Sequence, residues 1–131
     1  AYSGAMAVET RMHTVTDADT AAELGSGDLP VLATPRLISW LERLTHAVAR
    51  TAVPEGQTTV GTLVKIEHLK ATPVGGTIRC ECSKGMSDGR RLIFHVGAFD
   101  EADEPVAAGE IQRRVVDSDR FMSRFPTTAA D

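Results

Sequence analysis

Only one stretch of this 131-residue chain carries a helical stripe, and from residue 58 onward its apolar residues recur with a period of two. That switch restricts the fold more than any other feature. In residues 35–52, Leu37, Leu41, Leu44 and Val48 recur at helical spacing, and Ile38, Trp40 and Ala47 widen the stripe. Thr34 is a good N-cap and Pro35 suits the first helical position, so the start is well marked. Pro54 ends it.

The strands follow. TTVGTLVKIEHL alternates, which puts Val60, Thr62, Val64, Ile66 and His68 on one face. ATPVGG turns the chain into TIRCECSKGM. Asp88-Gly89 marks a tight hairpin into RLIFHVGAFD. EADEP then leads to VAAGEIQRRVVD. A short strand over residues 7–15 precedes the helix, separated from it by the turn-rich DADTAAELGSGDLP. The tail carries Phe121 and Phe125 and is expected to fray after Pro126.

The order is one strand, a long loop, one helix and four antiparallel strands. A lone apolar helix must bury its stripe on the inner face of that sheet. One helix covers five strands only if the sheet wraps around it, and pairing two copies protects a sheet edge. The expected fold is therefore α+β, a hotdog of about five strands around one central helix. Residues 1–131 are read as a single domain, in which Ala1–Ala5 is an artificial extension and Met6 the natural start.

Composition narrows the function. A net charge of -4 with scattered cations argues against a sequence-independent nucleic-acid surface. No run approaches the roughly 18 apolar residues of a membrane span, and AYSGAMAVETRMH lacks the pattern of a signal peptide. Cys80 and Cys82 lie on one face of one strand. They suit neither a normal disulfide nor a zinc site, and they read as reduced thiols of a cytoplasmic protein.

Three side chains are candidates for chemistry. Glu42 lies at the margin of the helical stripe, beside Ile38, Thr45 and Ala49. It is either a surface partner of His46 or a functional acid carried to the core's edge. His68 falls in phase with Val64 and Ile66, and an inward imidazole needs a partner, for which Glu42 is the candidate. The Thr34 hydroxyl caps the helix or stands beside N–H groups that favour negative charge. Hydroxyl, carboxylate and imidazole are the parts of acyl-transfer hydrolysis. Gly61 interrupts a strand and signals a bulge. His13, His46 and His95 read as solvated or structural, and Arg113, Arg114, Arg120 and Arg124 as solvated surface able to meet phosphate.

VLATPRLISWLE, GTLVKIEHLKATPVG and AAGEIQRRVVDSDRF resemble the hotdog thioesterases related to fluoroacetyl-CoA thioesterase, over roughly residues 8–125. The A-T-x(7)-E run and the G-x(6)-H segment carry most of the likeness. The resemblance implies that Thr34, Glu42 and His68 form the catalytic set and that Gly61 helps place substrate and water. It also implies a homodimer, and an acyl-CoA substrate of which coenzyme A is a part, with no separate cofactor or metal. The family's aromatic lid residues have no counterpart in GSGDLPVLAT, where Leu29 is the one bulky residue just before Pro30. Leu29 is the substrate-contact candidate there, and the fluorinated acyl group is not implied. The competing expectation is a non-catalytic module that binds or sequesters acyl-CoA.

Overall fold

The computed structural model describes residues 7–126; the proposed extension at Ala1–Ala5 and the residues after Pro126 lie outside them. Strand β1 (Ala7–Thr14) is followed by a 3-10 turn at Asp17–Asp19 and a single-turn helix α1 (Ala21–Leu24). The long helix α2 (Thr34–Arg50) comes next, then β2 (Gln57–His68), β3 (Thr77–Ser83), β4 (Met86–Asp88), β5 (Arg91–Phe99) and β6 (Pro105–Asp117). Helix α3 (Ser118–Ser123) ends the described chain. The strands form one antiparallel sheet in the order β1-β3-β5-β6-β2, with β4 paired to β5. The sixth strand arises because TIRCECSKGM breaks after Ser83, where Gly85 passes beneath the Phe94 ring with no room for a Cβ. The Asp88-Gly89 signal holds: Gly89 has φ 63° in the turn between β4 and β5.

The helix sits against the inner face as its stripe requires. Leu37, Leu41 and Leu44 are fully buried and share one core with Ile78, Phe94, Val96 and Ile111. Each such leucine contributes about 1.5–3 kcal/mol by burial. Cys80 and Cys82 are free thiols in this core, and burial pushes both up to about 12. No described helix is long and apolar enough to cross a membrane.

Two local expectations are revised. Strand β2 carries a bulge between Gly61 and Leu63, as the glycine signalled, and the extra residue is Thr62. Side chains therefore change phase there, and Val60 does not share a face with Val64, Ile66 and His68. The tail also forms one more helix than the sequence suggested, because the Asp117 side chain accepts the Arg120 N–H and starts α3.

His13 stacks on Trp40, with ring centroids 4.2 Å apart and planes 4° from parallel. Its Nε2 is buried without a hydrogen-bond partner. Burial, then Arg43 and Arg11, lower its pKa from 6.5, with Asp19 opposing. A base whose folded pKa is depressed binds fewer protons folded than unfolded, so stability falls as pH drops below 6.5. The thermal midpoint is expected to decrease between pH 7.5 and 5.5, and to decrease less in His13→Gln. Scanning calorimetry on both proteins checks this.

Candidate active site

Helix α2 begins at Thr34 with Ala33 as its N-cap and no side-chain cap. The N-cap reading of Thr34 is thereby corrected. Its hydroxyl is 2.7 Å from His68 Nδ1, at the far end of β2. The imidazole competes successfully for the hydroxyl because Leu32 and Ala33 bring the chain in buried and β2 delivers His68 on the helix-facing side. The first amides of α2 are left without the cap that Thr34 would have supplied. Burial depresses the His68 pKa, with a smaller opposing influence from the Lys70 backbone. The ring is therefore held toward its neutral form. Its Nε2 is buried and without a partner.

This pair lines a cleft of about 360 Å³, whose walls include Ala21, Ser26, Val31 and Lys70. Lys70 Nζ is paired with Asp100 and Glu104, each at 2.6 Å. Leu29 is exposed on the loop that supplies Ser26 and Val31, and it does not line this cleft.

Glu42 occupies a second cluster. It lies eight residues beyond Thr34, about 12 Å along the helix. Its carboxylate abuts Gly61, where a Cβ would overlap Oε2. Its ionic partner is Arg113 of β6, with Nη1 3.7 Å from Oε2, and not His46. The expected Glu42–His68 contact is not formed: the imidazole's partner is Thr34 and the carboxylate's is Arg113. The four candidate residues thus fall into two pairs, Thr34 with His68 and Glu42 with Gly61.

Arg113 is the residue that the sequence reading missed. It is only 5% exposed, and it donates from Nε to Thr59 Oγ1 at 2.7 Å and from Nη2 to the Thr59 carbonyl at 3.1 Å. Nη1 is buried and makes no hydrogen bond. Burial lowers the arginine's pKa and Glu42 opposes it. A buried cation with one free N–H aimed at a carboxylate is an anchor for negative charge. A signal was available, since Arg113 is in phase with Ile111 and Val115 on the inward face of β6. His46 is less solvated than expected, and burial followed by Arg113 lowers its pKa. Among the described residues no three His, Cys, Asp or Glu side chains come together as a metal site.

One long helix packed on the inner face of an antiparallel sheet is the hotdog architecture, and the family match places the chain among the hotdog thioesterases. More narrowly, it belongs to the fluoroacetyl-CoA-specific thioesterase (FlK) family, whose profile matches residues 15–119. The fluoroacetyl-CoA thioesterase of Streptantibioticus cattleyicolor is 28% identical over 94 residues, 72% of this chain and 67% of that protein. A point mutant of the fluoroacetyl-CoA-specific thioesterase, solved with fluoroacetate and CoA, superposes with a TM-score of 0.79 and 25% identity. That match covers 88% of this chain and 94% of the other. A hot-dog-like protein of Thermanaerovibrio acidaminovorans gives 0.80 at 22% identity, covering 92% and 91%.

Proposed function

We propose that the protein hydrolyses an acyl-CoA thioester to a carboxylic acid and free CoA, with Thr34, Glu42 and His68 as its catalytic residues. The observation that carries this reading is the 2.7 Å contact between the Thr34 hydroxyl and His68 at an uncapped helix start. Unsatisfied amides and the helix dipole favour the oxyanion that forms when a thioester carbonyl is attacked, and the hydroxyl adds a donor. His68, kept neutral by burial, accepts a proton from the attacking water. Breaking the C–S bond releases a thiolate, which takes up that proton and leaves as free CoA.

Glu42 either activates the water or attacks the carbonyl itself, giving an anhydride that water then opens. Arg113 orients the carboxylate, which occupies the space that a side chain at residue 61 would take. The thioester lies in the groove between the two pairs. A homodimer completes this reading. Strand β2 carries both Gly61 and His68 on a free sheet edge with exposed Leu63 and Val64, and a second copy there roofs the groove.

The test is release of free thiol from a panel of acyl-CoA esters, from acetyl through aryl-acetyl. Turnover of at least one ester is expected, with kcat/KM falling on the acid side at a midpoint below 6.5 because His68 is depressed from that value. The acid limb is expected to be absent from the residual activity of His68→Ala. Binding of CoA esters without turnover would instead identify an acyl-CoA sequestering module.

A further inference from the structure

The chain that follows His68 is thinly packed. Leu69, Lys70 and Ala71 are exposed. Lys70 and Ala71 line the cleft of the His68–Thr34 pair and also a second cleft, of about 350 Å³, that Thr72, Thr77 and Asp100 help to wall. A strip of chain between two clefts takes its position from its bonds, since packing holds it so little. The Leu69 N–H donates to the Val106 carbonyl at 2.7 Å. The Leu32 N–H donates to the Thr72 carbonyl at 2.8 Å, two residues before Thr34. With the 2.7 Å contact between Thr34 and His68, this closes a ring. Residues 68–72 form one side of it and residues 32–34 the other. Lys70 is the middle residue of the longer side, and its ammonium reaches out of the ring to Asp100 and Glu104.

The turn between β5 and β6 is prepared to receive that ammonium. Asp100 Oδ1 accepts the Ala102 and Glu104 N–H groups at 2.9 and 3.0 Å, and Oδ2 meets Lys70. Glu101 accepts the Thr77 N–H and Asp103 pairs with Arg79, so the turn is itself tied to β3. A single exposed ion pair holds little. Here one ammonium meets two carboxylates, and the backbone has already fixed one of them. We propose, on the thioesterase reading, that Lys70 is a positioning residue: clamped by Asp100 and Glu104, it holds the 69–72 segment so that His68 stays within hydrogen-bond reach of Thr34. Once the clamp is released the segment drifts, and a shift of about 1 Å takes the Thr34–His68 contact out of hydrogen-bond range. Misplacement on that scale slows the chemical step.

The experiment uses the whole chain as wild type, Lys70→Met, Lys70→Arg and the double variant Asp100→Asn/Glu104→Gln. The amide at residue 100 can still accept the two N–H groups of the turn, so the double variant removes charge and keeps the loop. On the best CoA ester, Lys70→Met is expected to lower kcat about tenfold, with KM changed by less than about twofold. Lys70→Arg restores most of the rate. The acidic double variant copies Lys70→Met, and combining the two adds no further loss, as members of one network do. An unchanged kcat in Lys70→Met overturns the clamp. So does a raised KM in Lys70→Met that the acidic double variant does not share, because Lys70 would then touch substrate directly. NMR titration of the His68 ring, assigned against His68→Ala, gives a readout that needs no turnover. Its midpoint lies below 6.5 in the wild type and is expected to climb toward 6.5 in Lys70→Met as water reaches the ring. A midpoint that stays in place overturns the clamp. A shifted midpoint in a protein that hydrolyses no thioester would sink the thioesterase reading and leave the clamp standing.

Discussion

Glu42→Gln is expected to reduce thiol release from acyl-CoA esters by about 10²–10⁴-fold, the usual range for a lost acid–base group. The amide keeps the size and shape of the carboxylate, so the space beside Gly61 stays filled. What it removes is the charge that faces Arg113 Nη1 across 3.7 Å, along with the lone pair able to take a proton or attack a carbonyl. Arg113 retains both hydrogen bonds to Thr59, so the sheet remains anchored there. Steady-state rates on the best ester, with circular dichroism to verify the fold, decide the matter. Full activity in Glu42→Gln would remove the carboxylate from the mechanism and leave Thr34 and His68 as the whole of it.

Gly61→Ala tests the same point from strand β2. A Cβ at residue 61 would overlap Glu42 Oε2 and come 3.8 Å from Arg113 Nη1. The atom it meets is the free end of a flexible side chain, so folding survives and the carboxylate swings aside. Stability is expected to change by less than about 1 kcal/mol, while kcat/KM falls about 10²-fold through the loss of alignment. Urea unfolding and kinetics on one preparation separate the two effects. A large stability loss with kinetics intact would mean that Gly61 serves packing alone.

The two substitutions bear on what the sequence could and could not reveal. The period switch exposed the helix, the succession of elements along the chain and the wrapped-sheet architecture, because burial on one face imposes a repeat that needs no partner to be recognised. The choice between the two readings of Thr34 stayed open because a hydroxyl at a helix start can cap the helix or bond another side chain. The choice depends on His68, which is 34 residues away. Arg113 misled because a buried arginine beside an exposed one reads as a basic surface pair. Only its phase with Ile111 and Val115 separates it from Arg114. The Glu42–His68 contact was inferred from two residues facing one groove, which does not fix their positions along it. The break at Gly85 was hidden because the Phe94 ring that forces it comes from another strand.

The bulge at Thr62 has a consequence for how β2 can vary. Gly61 and His68 stand an odd number of positions apart, a separation that in an unbroken strand points two residues to opposite sides. The extra residue cancels that mismatch, and both face the helix. The segment between them therefore obeys a parity rule. Residues can be gained or lost there in pairs, but a single insertion or deletion turns one end of the groove toward the outside.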